Sequence, residues 1–357
     1  PGWQFEQTRA AARAAWNQVL GRIRVRGGSE RQRVIFYTAL WRSLLRMVNA
    51  SEDGRYWSGF DRRVHDTEGR DFYINDGLWD TYRTLHPLQL LLDPARQVNM
   101  VRSYLRMFQQ SGWLPLFPGV SGDRAAMLGH HSAAFITDTY MKGYRDFDAA
   151  LAYQAMKKNA MEATMLPWRN GPMTALDRVY LEKGFFPALA PGEKETVPEV
   201  HSFERRQAVA VTLEHSYDDW CLAQMAEALG RTEDRAYFLR RASNYRNVFD
   251  PRIGLMAPRT ADGKWVEPFD PKLSGGQGGR DYFAECNSWV YSFHVQHDVR
   301  GLIELMGGRE RFIAKLDQLF TEQYGGSKYA FLRQFPDMTG LTGNHAQGNE
   351  PSFHIPY

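Results

Sequence analysis

Side chains able to do chemistry gather at a few places in this sequence. Gly348-Asn349-Glu350-Pro351-Ser352 sets an amide beside a carboxylate, oxygen donors of the kind hard cations such as calcium prefer. Pro351 stiffens the backbone after them, although such a triplet reads equally well as a polar turn. Glu285, in Ala284-Glu285-Cys286-Asn287-Ser288-Trp289, follows a glycine-rich stretch at 275–279 and has Tyr282, Phe283 and Trp289 as neighbours. Apolar surroundings disfavour a charged carboxyl, and a general acid working near neutral pH needs that. Trp79-Asp80-Thr81-Tyr82-Arg83-Thr84, followed by His86, offers a carboxylate for sugar hydroxyls and an aromatic wall for a sugar ring. Asp80 and Arg83 share a helix face, so a simple ion pair explains them as readily. Glu214-His215 with Asp218-Asp219-Trp220 opens a helical stripe, where acidic residues suit the helix dipole. One of these acids at a cavity mouth would reach substrate. His130 and His131 point to different helix faces and lack the i, i+4 spacing of a zinc pair; satisfied structural histidines are the simpler reading.

The elements that must position these groups are helical. Apolar residues recur every three or four positions across 8–23 and 30–47, then 78–93, 96–110, 130–143 and 146–164. The strongest stripe, Tyr217, Cys221, Met225 and Leu229, runs from Val209 to a stop at Gly230, and a second helix opens at Thr232 and carries Phe238, Ala242, Tyr245 and Phe249. Two more helices are expected near 284–296 and 309–323. Gly112 and Gly143 mark further stops. Convincing period-two strands are not apparent. The turn-rich stretch 51–77 is too long for an idle connection. Residues 165–200, with five prolines and three glycines, read as a surface excursion, and 250–282 reads as loop. Nine or ten helices joined by alternately short and long loops suit a ring of helix pairs whose long loops meet at one mouth. A bundle or solenoid has similar helix content, but no repeat of fixed period occurs.

Composition narrows the classes. With 357 residues, 43% of them hydrophobic, the chain can bury a large core. Its 44 basic and 41 acidic residues leave a net charge of +3, which argues against nucleic acid or an anionic membrane as the main partner. No apolar run approaches the roughly 18–20 residues of a membrane span. Cys221 and Cys286 are the only cysteines; one disulfide is conceivable, but buried thiols fit their patterned segments better. Aromatic residues reach 13%, including 10 Trp and 17 Tyr. Most must serve packing, and some can stack on sugar rings. The sequence opens at Pro1 with neither a methionine nor a signal-like apolar segment, so a removed leader or a fragment is expected.

Taken together, several segments resemble glycoside hydrolase family 92, the calcium-dependent exo-acting α-mannosidases. They are Phe36-Tyr37-Thr38-Ala39-Leu40, Leu78 to Thr84, Ser111-Gly112-Trp113-Leu114-Pro115, Lys142-Gly143, Thr212 to Cys221, the Glu285 segment, His297 to Gly308 and Gly348 to Ser352. The resemblance implies that residues 1–357 form an (α/α)6 barrel, truncated at its carboxyl end and without the family's amino-terminal β-sandwich. It implies hydrolysis of terminal α-mannosides with inversion, using an acid and a base carboxylate roughly 6.5–9.5 Å apart. Glu285 matches the general acid. Asn349 and Glu350 fall in the calcium segment, where the metal bridges mannose hydroxyls and helps distort the ring. Asp80, beside Trp79, matches a sugar-gripping carboxylate, with Arg83, Gln347 and Gly348 expected to bind substrate.

Two departures from the family pattern stand out. The family's base lies in an Asp-rich motif downstream of Tyr357, so it is expected outside this chain, and the missing segments become potential partners. Members that cut α-1,2 linkages tend to carry His-Glu before Asn-Glu-Pro, where this chain has Gln347-Gly348. That leaves α-1,3, α-1,4 or mannosyl-phosphate substrates open, and retention of Glu285 weighs against the last. By the same resemblance the protein is secreted or periplasmic. The alternatives are a non-catalytic mannose-binding fragment and a different, calcium-independent (α/α)6 glycosidase.

Overall fold

The computed structural model describes residues 4–273, 280–326 and 342–357. The glycine-rich stretch 275–279 lies outside the described residues. The chain is mainly helical, and its helices begin where the sequence supplies caps. Helix α1 is Phe5–Leu20 and α2 is Glu30–Ser43. Ser29 and Gln32 close a reciprocal capping box at the start of α2, satisfying two amide groups that a helix start leaves orphaned.

Between α2 and the next helices the structure corrects the expectation of no strands. Strands β1 (Val48–Asn49), β2 (Ser51–Glu52), β3 (Arg55–Ser58), β4 (Arg63–Asp66) and β5 (Tyr73–Ile74) form two small antiparallel sheets, β2-β3-β4 and β1-β5. Along β3, Arg55 and Trp57 face out while Tyr56 and Ser58 are buried. Four residues are too few for that alternation to stand out against the charged turns around it.

The expected helix over 78–93 is two pieces, α3 (Leu78–Thr81) and α4 (Leu85–Leu92). Helix α5 (Pro94–Ser111) starts with Asp93 capping and Pro94 in its first turn, and ends at Gly112, whose φ of 82° suits glycine. Helices α6 (Ser132–Met141) and α7 (Ala149–Glu162) follow. The stretch 165–200 is a surface excursion only in part, with 191–199 mostly exposed. It holds α8 (Ala175–Lys183), and Met165, Leu166, Phe185, Phe186 and Ala188 are buried. Prolines and glycines there shape a chain that runs through the core, with buried Asp177 accepting from Thr164, Met165 and Thr174.

Helix α9 (Ala208–Ala228) organises the rest. It is buried on nearly every side, so the stripe read from its sequence is only part of its apolar surface. Its first half packs with Phe186, Phe283 and Tyr291, and its second half with Val101, Phe135 and Phe238. Helix α10 (Thr232–Ala242) packs along α9 and continues as a 3-10 turn, Ser243–Val248. The helix expected at 284–296 is the short α11 (Ser288–Tyr291). Helix α12 (Val299–Leu305), capped by Asp298, was not anticipated, being only two turns long; α13 is Arg309–Thr321. Both cysteines are free and buried. Among the described residues no helix is long and apolar enough to cross a membrane.

Candidate active site

The α3–α4 segment carries Trp79, Asp80 and Arg83, and buried Asp76 anchors it. One Asp76 oxygen accepts from Thr81 Oγ1 at 2.8 Å and from the Gly77 amide, while the other meets His86 Nε2 at 3.0 Å and Tyr104 Oη at 2.9 Å. Gly77 has no room for a side chain, because a Cβ would lie 2.6 Å from Phe117.

Trp79 is 2% exposed. Its indole N–H donates to Glu214 Oε1 at 3.2 Å, and the Arg83 guanidinium lies 5.1 Å from the ring centre. A ring so enclosed offers a sugar no face, so the expected stacking wall is instead part of the core. Arg83 is likewise buried and does not pair with Asp80. It donates to the Trp79 carbonyl at 3.0 Å and to Glu214 at 3.2 Å. Asp80 stands at the surface of this layer, its side chain 36% exposed and 3.7 Å from Arg46. Burial, followed by the nearby charge of Glu350, raises the Asp80 carboxyl to about 6 against the pull of Arg46 and Arg83.

That electrostatic coupling brings the distant carboxyl-terminal segment to Asp80. Asn349 is fully buried, and its Nδ2 donates to Glu285 Oε2 at 2.6 Å. Its Oδ1 accepts from the Cys286 thiol at 2.9 Å. Glu350 is half-buried and opens a 3-10 turn, Glu350–Ser352, stiffened by Pro351. Gln347 and Gly348 are exposed beside it, with Gln347 Oε1 3.0 Å from His345 Nε2. Glu285 itself sits half-buried just before α11, on a segment whose Phe283 and Trp289 are buried. Asn287 caps α11 and ties the turn to Asn344. Asn349 thus ties Glu285 to the segment whose Glu350 couples in charge with Asp80.

The residues sequence reasoning placed least well are Glu214 and its neighbours. Helix α9 begins at Ala208, so Glu214 lies in its second turn with no exposure, and neither capping nor substrate contact applies. Around it stand Arg83, Trp79 and Tyr291 Oη at 3.4 Å. His131 Nε2 at 3.2 Å and His294 Nε2 at 3.3 Å complete the ring at ion-pair distance. Burial opposes a charge on Glu214, but His294, Arg83 and His131 more than compensate and hold its carboxyl well below the usual range. The only signal in the sequence was a carboxylate amid apolar helical residues.

His131 also meets Asp218 at 2.9 Å, and Asp218 accepts the His130 amide at 2.7 Å. Burial pushes the His131 imidazole down, yet Asp218 and Glu214 outweigh it and raise it to about 9. An unfolded histidine titrates near ~6.5. The pairing therefore stabilises fully below about pH 6.5 and fades as pH climbs through 9. Urea midpoints should fall across that window, and His131→Asn should flatten the fall.

The glycosyl hydrolase family 92 catalytic domain model matches residues 1–357, and the chain belongs to that family. The chain is similar to the family GH92 α-mannosidase BT3965 of Bacteroides thetaiotaomicron, at 30% identity and a TM-score of 0.82 over 99% of this chain and 43% of that one. A structure of BT3965 in complex with mannoimidazole matches equally well. The family GH92 inverting mannosidase BT2199 of the same organism is 33% identical, with a TM-score of 0.79 over 97% of this chain and 45% of that one. An uncharacterised secreted glycosidase of Arthroderma benhamiae is 26% identical over 93% of this chain and 40% of its own length. The chain thus spans less than half the length of these relatives.

Proposed function

We propose that this chain supplies the proton-donating side of an exo-acting, inverting α-mannosidase built on an (α/α)6 barrel, with Glu285 as general acid. The observation that carries the reading is the placement of Glu285. Its carboxyl group accepts from the buried Asn349 amide, and the next residue in the chain, Glu350, couples in charge with Asp80. Such a group can hand a proton to the glycosidic oxygen as the bond to the anomeric carbon breaks, and keep the resulting carboxylate oriented. Asp80 and Glu350 would grip hydroxyls of the terminal mannose, with Gln347 and Gly348 at the rim of the subsite where linkage is sensed. The mannosidase relatives, one named as inverting and another holding mannoimidazole, support this substrate class. The fungal relative named as secreted supports a secreted or periplasmic enzyme acting on mannose-containing glycans. Release of mannose, but not glucose, from matched terminal α-glycosides by the complete protein tests the reading. Equal release of glucose would point to another (α/α)6 glycosidase, and binding without turnover to a lectin-like domain.

Calcium suits this donor set in kind but not in number. Glu350 and Asp80 are hard oxygen donors close enough for their charges to couple. Asn349, however, reaches a cation through Oδ1 only by releasing the Cys286 thiol. No group of three or more His, Cys, Asp or Glu among the described residues converges to hold a metal. We therefore assign Glu350 as the ligand this chain supplies, with Asn349 as a ligand only after that exchange, and route no step through the ion. When bound, calcium would supply a hard cation for mannose hydroxyls. Excess EDTA should abolish mannose release, calcium but not zinc should restore it, and Glu350→Ala should weaken both calcium and mannose binding by calorimetry. Full activity in excess chelator would remove the metal from the account.

A further inference from the structure

We propose that Glu214 is a positioning residue, holding the turn that bears Asp80 in register with the segment that bears Glu285. The inference rests on the reading of Asp80 as part of the mannose grip, and adds the group that sets where Asp80 stands.

Glu214 is fully buried, so whatever it does for the reaction passes through its partners. They come from both site segments. On the Asp80 side it accepts the Trp79 indole N–H at 3.2 Å and the Arg83 guanidinium at 3.2 Å, while Arg83 Nε donates to the Trp79 carbonyl at 3.0 Å. Trp79 is thus held by its ring and by its backbone, and Asp80 is the next residue. On the Glu285 side the Tyr291 hydroxyl donates to the same Glu214 oxygen at 3.4 Å, and His294 Nε2 lies 3.3 Å from the other oxygen. Tyr291 ends α11, whose cap, Asn287, lies two residues after Glu285. One carboxylate therefore joins the two segments, from a helix that is itself buried on nearly every side.

Stability alone does not call for a carboxylate here. Burying charge is costly, and well-packed apolar side chains of similar volume often serve a core as well or better. An apolar side chain could not accept from Trp79, Arg83 and Tyr291 at once. The two carboxylate oxygens receive such donors along set directions, and a network satisfied in this way fixes the elements it joins. The Asp80 turn needs that help. Helix α3 is only four residues long, Leu78–Thr81, so side-chain anchors decide where it lies. Asp76 pins its start through Gly77 and Thr81, and Glu214 pins Trp79 within it and Arg83 just after it. A shift of about 1 Å in a group that positions substrate is enough to cost roughly 100-fold in rate.

The test is a double-mutant cycle in the complete enzyme: Glu214→Gln, Asp80→Asn and the two combined. The substrates are methyl α-mannoside, whose leaving group needs protonation, and 2,4-dinitrophenyl α-mannoside, whose leaving group does not. Glutamine keeps the volume of Glu214 but turns an NH2 towards donors where an oxygen now accepts. Glu214→Gln should lower kcat/KM by roughly 10- to 100-fold, equally on both substrates, because the grip on mannose moves and proton donation does not. The combined variant should lose no more than Asp80→Asn alone, since Glu214 then has nothing left to place. Tyr291→Phe removes one hydroxyl donor and should show a smaller loss of the same pattern; it decides the matter should Glu214→Gln fail to fold. Arg241→Met breaks the buried pair with Asp219 at 2.9 Å, between α10 and α9. It should lower the melting temperature and leave kcat/KM unchanged. Losses that add in the cycle, a loss confined to the methyl glycoside, or parental kcat/KM in folded Glu214→Gln would overturn the proposal. So would an equal kinetic loss in Arg241→Met, which would mark general loosening. Asp80→Asn alone separates the two claims, because parental mannose release by that variant would sink the assignment of Asp80 to the grip itself.

Discussion

Glu285→Gln in the complete enzyme should lower kcat on methyl α-mannoside by about 10²- to 10⁴-fold, the range a positioned general acid contributes. Glutamine keeps the size of the side chain and can still meet the Asn349 amide through its carbonyl oxygen, but it has no acidic proton to give. A leaving group as weakly basic as dinitrophenolate departs without one, so that substrate should lose far less. Glu285 lies in a turn just before α11, where a change of charge disturbs little packing. Unfolding midpoints of the variant should therefore stay close to the parent, and steady-state kinetics on the two substrates make the comparison. A loss of the same size on both would remove Glu285 from proton transfer.

Glu214→Ala should have the largest effect on stability. It would leave the Arg83 guanidinium and the protonated His131 buried without their shared counter-charge, and the Trp79 N–H without its acceptor. Breaking a buried charge pair in this way costs about 3–5 kcal/mol. Glu214→Gln, which retains volume and one acceptor, should cost less. The effect should reach the site as well, because Arg83 and Trp79 belong to the same segment as Asp80. Urea unfolding of both variants measures the cost. A change below about 1 kcal/mol for Glu214→Ala would show that Arg83 and His131 do not depend on this carboxylate.

What the sequence made legible divides along physical lines. Helices with apolar periodicity and a glycine stop, such as α5 ending at Gly112 and α9 ending before Gly230, were readable because both signals are local. The site segments around Glu285 and Asn349–Glu350 were readable through family resemblance, and the structure brings them into contact across 64 residues. The β3–β4 hairpin and α12 were not readable, being shorter than the periods used to find them. Residues 165–188 misled because proline and glycine report where the backbone turns and say nothing about whether it is buried. Trp79 misled for a related reason. An aromatic beside a carboxylate looks the same in sequence whether it lines a cleft or, as here, hydrogen-bonds into the core. Glu214 was invisible as a hub because its partners come from α3 and the turn after it, from His131 just before α6, and from α11 and the residues after it. Only the packing of α9 at the centre brings them together.

The central claim, that this fold delivers a proton from Glu285 in a single-displacement reaction, is tested most directly by the anomer first released. Proton NMR of the complete enzyme acting on an α-mannoside should show β-mannose appearing before mutarotation produces the α form. Prompt appearance of α-mannose would mean retention, and would contradict the account.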